Sequence, residues 1–226
     1  MWRKRATPLR RPRLDVEPRS SRGHRTIVFA VSSTPDHTRL ILLRHGESTW
    51  NTTRLIQGHA DQATLTDRGR EQALEVVDHL RGFGISRAVS SDLRRARETA
   101  AIVCRALDIE FSLDTSLRER NFGQIEGCSL DVAIPGLTGI ERNIVVDDGA
   151  RPEGGESLAD VYRRGASFVD DVVERYRGQT VLVVTHGGVI RTISAYCHGA
   201  TMQGRQWVAV DNCSVWPLDP PRSSSH

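Results

Sequence analysis

The sequence is poor in several kinds of residue, and these shortages narrow the class of protein. Aromatic side chains make up only 5% of the 226 residues, and there are two methionines. A membrane-spanning helix needs about 18 consecutive apolar residues, and no apolar run in the sequence approaches that length. The composition, with 38% hydrophobic and 26% charged residues, is typical of a globular protein with no membrane span.

Cysteine and lysine are also scarce; the first shortage bears on the cellular compartment and the second on the source organism. The four cysteines, Cys104, Cys128, Cys197 and Cys213, match no CxxC redox or zinc pattern, which favours reduced thiols in a cytoplasmic protein. Lys4 is the only lysine among 31 basic residues. We interpret this arginine bias as the mark of a GC-rich genome and expect a bacterial, actinobacterial source.

The charge is divided unevenly along the chain. Residues 1–39 carry a net charge of +7, whereas the remainder carries −4. We expect a basic, disordered arm over residues 1–37, one domain over 38–218 and a flexible tail over 219–226. The arm has only Trp2 and Phe29 as aromatic residues, which disfavours a nucleic-acid partner.

Hydrophobic periodicity from residue 38 onward alternates between strands and helices. The predicted strands are 39–43, 88–90 and 180–185, with possible closing strands at 207–210 and 215–218; the predicted helices are 66–80, 92–107, one from Ser157 to before Gly178, and 187–196. This order predicts an α/β protein, a three-layer α/β/α sandwich with a mostly parallel central sheet. In such sheets ligands bind beyond the carboxyl ends of the strands.

Histidines follow two of these predicted strands. The first strand runs into Arg44-His45-Gly46-Glu47, and the late apolar strand runs into Thr185-His186-Gly187. A lone histidine is more often structural, but two at matching strand ends indicate a shared site. Between them, Arg95 lies in the first turn of a predicted helix, where helix N–H groups and arginines favour an anion.

These motifs together resemble the histidine phosphatase superfamily, in the branch that contains cofactor-dependent phosphoglycerate mutases and their phosphatase relatives. The resemblance covers residues 38–217. Besides the two histidine motifs, it rests on Ser91-x-Leu93-x-Arg95-Ala96, Leu117-x-Glu119-x-x-Phe122-Gly123-x-x-Glu126-Gly127 and Gly154-Gly155-Glu156-Ser157, all in the family's order. A phosphoglycerate mutase-like fold is therefore expected.

The resemblance implies roles for individual residues. His45 would be the nucleophile that becomes phosphorylated, Glu119 the general acid, and His186 a third catalytic group. The implied phosphate-binding residues are Arg44, Asn51, Gln57, Gly58, Arg95 and Gly187, while Glu156 either belongs to the site or braces the following helix. Because arginines take the place of metal ions in this mechanism, no metal and no cofactor are expected.

The same residues leave several functions open. The favoured one is a metal-independent phosphomonoesterase for a small phosphorylated metabolite. The alternatives are a phosphoglycerate mutase and a catalytically silent phosphate-binding protein. The mutases have a longer, more basic insertion before Gly154 and an asparagine at the position of Gly188, which favours the phosphatase. Residues 128–153 are expected to select the substrate, and the oligomeric state is left open.

Overall fold

The computed structural model describes residues 37–130 and 139–221. The predicted arm, apart from His37, and the last five residues of the predicted tail lie outside the described residues. In chain order the elements are β1 (Arg39–Arg44), α1 (Thr49–Thr52), α2 (Asp67–Arg81), β2 (Arg87–Ser90), α3 (Arg94–Leu107), β3 (Phe111–Leu113), β4 (Ile140–Glu141), β5 (Ile144–Val145), α4 (Leu158–Arg175), β6 (Thr180–Thr185), α5 (Gly187–Cys197) and β7 (Val215–Leu218).

The main sheet has five strands in the order β3-β2-β6-β1-β7. All pairs are parallel except β1 with β7, which are antiparallel. Every residue of the central strand β6 is buried, as expected of a strand covered on both faces. Strands β4 and β5 form a separate two-stranded hairpin.

Helices cover both faces of the main sheet, which confirms the predicted three-layer α/β sandwich. One apolar cluster joins Ile41, Leu43 and Leu182 to α2 and α3, and the other joins Leu40, Leu42 and their neighbours to α4 and α5. A capping box between Ser157 and Asp160 starts α4, as the sequence predicts. None of the described helices has the length and apolar character needed to cross a membrane.

Two features of the outer sheet differ from the predictions. The predicted strand over 207–210 is wrong, since this segment uses its backbone for contacts outside the sheet: Trp207 N–H donates to Asn143 O at 2.6 Å, and Val208 O accepts from Arg191 Nε at 2.7 Å. Edge strand β3 was missed. Its Ser112 and Leu113 are exposed, so it lacks the apolar pattern by which buried strands are recognised.

Candidate active site

Three neighbouring strands end side by side at the site. The register of β1 and β6 pairs Arg44 with Thr185, so His45 and His186 follow at the same edge of the sheet. The His45 N–H donates to Thr185 O at 2.9 Å, and the two imidazole ring centres lie 5.2 Å apart. Ser91 follows β2 at the same edge, with its N–H donating to Val184 O. Parallel register thus joins groups that are far apart in sequence.

The local contacts of His45 determine which ring nitrogen carries the proton. Nδ1 lies 2.7 Å from the Gly46 carbonyl oxygen, which can only accept a hydrogen bond. Nδ1 therefore holds the hydrogen, and Nε2 keeps its lone pair. The backbone around the ring is also held, since Gly46 N–H donates to Thr99 Oγ1 at 3.0 Å and Asn212 Nδ2 donates to His45 O at 2.9 Å.

Both histidines are held in the neutral form. Burial lowers the pKa of His45 well below its ordinary value of 6.5, and the positive charges of Arg95 and Arg44 lower it further. Burial likewise lowers the pKa of His186, followed by the effects of Arg95 and His45. For both histidines burial lowers the pKa more than the neighbouring positive charges do.

These lowered pKa values predict an acid-sensitive stability. Below about pH 6.5 the unfolded chain protonates both histidines while the folded chain does not, so the free energy of unfolding falls as the pH falls. Each histidine contributes a slope of about 1.4 kcal/mol per pH unit until its folded pKa is reached. Urea unfolding at pH 7.5, 6.5 and 5.5 measures this slope.

A histidine variant gives the matched comparison for that slope. His45→Gln removes one of the two titrating groups and is expected to make the pH dependence shallower, whereas His79→Gln, at an exposed position on α2, is expected to leave it unchanged. Equal slopes for wild type and His45→Gln would contradict the assignment of His45 as a buried neutral group.

Hydrogen-bond donors without partners cluster around His45. In the described parts of the chain, four buried side-chain nitrogen or oxygen atoms lack a hydrogen-bond partner, and three of them are Arg44 Nε, Arg95 Nε and His186 Nδ1. An unsatisfied buried donor costs about 1–3 kcal/mol, so such a cluster indicates a ligand that accepts hydrogen bonds. The cluster favours an anion.

The two arginines are anchored by their remaining nitrogens. Arg95, only 1% exposed, donates from its Nη atoms to Ala60 O at 3.1 Å and Gly58 O at 2.8 Å. Arg44 donates from Nη1 to Val210 O. Burial lowers the pKa of Arg95 to about 10, which leaves it fully charged at neutral pH. Both guanidinium groups are therefore fixed in place before a ligand arrives.

Glu119 reaches the cavity from the loop after residue 117. Its Oε1 accepts from Arg120 N–H at 2.8 Å, and its Oε2 accepts from Gly188 N–H, at the start of α5, at 3.0 Å. A Cβ atom on Gly188 would lie 2.2 Å from Glu119 Oε1. The absence of a side chain at position 188 thus makes room for the Glu119 carboxylate.

Glu156 braces the loop that carries Glu119 and is absent from the cavity wall. Its carboxylate accepts from Arg164 Nε at 2.9 Å and from Asn121 N–H at 2.9 Å. Arg164 Nη2 in turn donates to Glu119 O at 3.0 Å, and His59 Nε2 donates to the same oxygen at 2.9 Å. Of the two roles that the sequence left open for Glu156, these contacts correspond to the bracing one.

The remaining predicted residues fall into two groups. Asn51, Gln57 and Gly58 line the cavity, and Gly58 needs its glycine because φ is +47° and a Cβ would lie 2.0 Å from Glu126 Oε1. His186 and Gly187 lie outside the cavity lining; the His186 side chain is fully buried, with its ring centre 5.2 Å from that of His45. The structure therefore brings the predicted residues together but gives them unequal access to a ligand.

The cavity has a volume of about 450 Å³ and extends well past the histidines. From the segment expected to select the substrate, Leu130, Ile140 and Asn143 line it, while residues 131–138 of that segment lie outside the described residues. Arg120 and Phe122 of the Glu119 loop also contribute to the lining. No group of three or more His, Cys, Asp or Glu side chains within the described ranges is arranged to hold a metal ion.

Several cavity residues escaped the sequence analysis. Arg191, Trp207 and Leu158 also line the cavity. Arg191 lies on α5, four residues after Gly187, so after about one turn it lies on the same side of the helix as Gly187. That spacing was available in the sequence; the position of Trp207 depends on a loop that no local pattern predicts.

The site therefore has a neutral histidine, fixed guanidinium groups and unsatisfied donors at the carboxyl edge of a parallel sheet, an arrangement suited to an anion such as a phosphoryl group. The family model "Histidine phosphatase superfamily (branch 1)" matches residues 40–224. The chain therefore belongs to the histidine phosphatase superfamily.

Some of the individual relatives are named as mutases, and others are named as phosphatases. The chain is 38% identical to phosphoglycerate mutase-like protein 4 of Arabidopsis thaliana, over 70% of each chain. It is similar to a mycobacterial glucosyl-3-phosphoglycerate phosphatase solved with VO3, with a TM-score of 0.69, 31% identity, and coverage of 80% of this chain and 92% of that one. It is also similar to an Entamoeba histolytica phosphoserine phosphatase variant in complex with phosphoserine, with a TM-score of 0.70, 28% identity, and coverage of 80% and 89%.

Proposed function

We propose that this protein is a metal-independent phosphomonoesterase that acts on a small phosphorylated metabolite through a phosphohistidine on His45. The observation that carries the proposal is the set of buried, unsatisfied nitrogens on Arg44, Arg95 and His186 around a histidine with a free Nε2 lone pair. A phosphate monoester dianion repels nucleophiles, so fixed positive charge and donors must hold it before it can be attacked.

The first step transfers the phosphoryl group. The Nε2 lone pair of His45 forms a bond to phosphorus while the bond from phosphorus to the ester oxygen breaks. Charge on the equatorial oxygens is stabilised by the guanidinium groups of Arg44 and Arg95. His186 contributes through Nδ1 when the Ser91 hydroxyl donates to its Nε2, which lies 2.9 Å from Ser91 Oγ. Nδ1 then carries the hydrogen that faces the anion.

Glu119 donates a proton in the first step and accepts one in the second. It gives a proton to the departing ester oxygen, so that an alcohol leaves. It then takes a proton from water as the water oxygen bonds to phosphorus and the phosphorus–Nε2 bond breaks. Inorganic phosphate forms, the His45 lone pair returns and Glu119 is protonated again. Its two backbone donors, Arg120 N–H and Gly188 N–H, hold the carboxylate in position for both transfers.

Hydrolysis of the phosphohistidine is favoured over return of the phosphoryl group to the alcohol, because position 188 has no side chain that could hold the alcohol. A mutase must keep its bisphosphate intermediate in place while it reorients, and it must exclude water from phosphohistidine. Gly188 offers no side chain for that purpose. In the described part of the substrate-selecting segment, Arg151 is engaged with Asp160 at 2.5 Å, and Arg142 lies outside the cavity lining.

The direct test compares hydrolysis with isomerisation. The protein is incubated in chelator-containing buffer with 3-phosphoglycerate and catalytic 2,3-bisphosphoglycerate, while both 2-phosphoglycerate and inorganic phosphate are measured; 4-nitrophenyl phosphate is assayed in parallel. We expect phosphate release in chelator, with isomerisation slower than hydrolysis.

Two results would overturn the proposal. Rapid formation of 2-phosphoglycerate with little phosphate release indicates a mutase that uses the same phosphohistidine. Binding of vanadate without turnover of the aryl ester, or of any member of a panel of phosphorylated metabolites, indicates a silent phosphate-binding protein.

A further inference from the structure

Three residues of the cavity lining, Asn143, Arg191 and Trp207, contact one another and are called here the outer wall. Neither the phosphoryl site nor the transfer steps use these residues. Arg191 comes from α5, Trp207 from the loop that follows it, and Asn143 from the turn of the β4–β5 hairpin. Three separate segments thus meet at one place.

Contacts inside the outer wall hold Arg191 in place. Its Nε donates to Val208 O at 2.7 Å, and its guanidinium carbon lies 4.1 Å from the centre of the Trp207 ring, a stacked cation–π geometry. Trp207 N–H donates to Asn143 O at 2.6 Å. Asn143 itself is set by a tight turn in which it and Arg142 have φ values of +62° and +47°. The guanidinium is oriented before any ligand binds.

The outward edge of this guanidinium has no partner. Neither Nη atom of Arg191 makes a hydrogen bond or an ion pair with the residues that the structure describes. Burial lowers the pKa of Arg191 to about 10, so the group stays charged at neutral pH although it is partly removed from water. The Glu119 charge acts in the opposite direction, raising this pKa, and that attraction is lost when Glu119 carries the proton that the proposed mechanism requires.

The unpartnered edge lies close to the phosphoryl site. A Cβ built on Gly187 would lie 3.0 Å from Arg191 Nη1 and 3.9 Å from Arg44 Nε, so both guanidinium groups approach the same point. A substrate that reaches both arginines therefore carries its two anionic groups only a few bonds apart. Leu55, Leu130 and Leu158, elsewhere in the lining, leave its carbon skeleton against apolar side chains.

We propose that Arg191 determines specificity by binding a carboxylate on the alcohol portion of the substrate, so that the substrates are phosphate monoesters of short hydroxy acids or hydroxy amino acids. The inference rests on the proposed phosphomonoesterase function. Because Nε is already bonded to Val208 O, the two Nη groups form the available edge, and a carboxylate presents two oxygens to such a pair. Trp207 and Asn143 are positioning residues, since they act through Arg191.

The test uses pairs of esters that differ in the carboxylate. O-phosphoserine is compared with O-phosphoethanolamine, and 3-phosphoglycerate with glycerol 3-phosphate, by kcat/KM for phosphate release. In the wild type we expect the carboxylate member of each pair to be preferred. In Arg191→Met, which keeps the length of the side chain but removes the charge, we expect that preference to fall ~10- to 100-fold, mostly through KM.

Arg205→Met supplies the matched control. Arg205 is an exposed arginine two residues before Trp207 and lies outside the cavity lining, so its loss is expected to leave the preference unchanged. Circular dichroism and the melting temperature of each variant show whether it is folded.

The outcomes separate this inference from the proposed function. If Arg191→Met lowers kcat/KM equally for both members of each pair, or for neither, the carboxylate assignment is wrong. The phosphomonoesterase function still stands in that case, provided that 4-nitrophenyl phosphate is hydrolysed and His45 is phosphorylated. If the wild type hydrolyses no ester at all, the proposed function itself is wrong.

Discussion

Replacing His45 with alanine is expected to lower kcat/KM for phosphate release by ~10⁴-fold or more and to abolish covalent labelling by a phosphorylated substrate. The expectation follows from the ring's position: it is 3% exposed, lines the cavity and presents an unprotonated Nε2 beside the unsatisfied arginine nitrogens. The label is trapped by an alkaline quench, because a phosphoramidate is stable in base and labile in acid, and is then mapped by mass spectrometry.

An exposed histidine supplies the control for that experiment. His79→Ala, on the surface of α2, is expected to keep both the activity and the label. His45→Gln tests whether loss of activity reflects the missing nucleophile or an altered fold, since it keeps more of the side-chain volume. Near-normal turnover in His45→Ala, or a label found on another residue, would show that the nucleophile lies elsewhere.

Replacing Glu119 with glutamine is expected to have an effect that depends on the leaving group. For an alkyl ester such as glycerol 3-phosphate, kcat is expected to fall ~10²- to 10⁴-fold, the usual contribution of a general acid. For 4-nitrophenyl phosphate the loss in the phosphoryl-transfer step is expected to be far smaller, because nitrophenolate leaves without a proton. Pre-steady-state release of nitrophenol measures that step separately from hydrolysis of the phosphohistidine.

The geometry of the loop suggests how to control the Glu119 experiment. Both oxygens of Glu119 accept backbone N–H groups, so the amide of the variant places a donor against one of them; a structure of the variant or its melting temperature reports any displacement. Glu110→Gln, at an exposed carboxylate outside the cavity lining, is expected to retain activity on both esters. Equal losses for the alkyl and aryl esters in the transfer step would exclude Glu119 as the proton donor.

The position of the Glu119 carboxylate depends on the residue at position 188. The Gly188 N–H binds the carboxylate, and the space that a Cβ would occupy is already filled by Glu119 Oε1. A single glycine thus links the placement of the proton donor with the absence of a side chain at position 188 that could contact the alcohol.

The order of strands and helices was readable from the sequence because it depends on local patterns. The strand at β6 is entirely apolar, and α4 begins with a side-chain cap that hydrogen-bonds within four residues. The sequence gives no prediction for the exposed edge strand β3, and the predicted strand over 207–210 is wrong. In both cases the conformation depends on distant partners, β2 for the first and Asn143 with Arg191 for the second.

By itself, the sequence determined the fold class and placed His45, Arg95 and His186 next to predicted strand ends, since periodicity and motif spacing are local properties. Only the tertiary structure decided which groups share the cavity and in what state. Parallel register set the two imidazole rings 5.2 Å apart, and burial made them neutral. Folding also made Glu156 a brace and brought Arg191 into the cavity lining with its Nε bonded to Val208 O, because hydrogen-bond partners and removal from water come from residues far away in the chain.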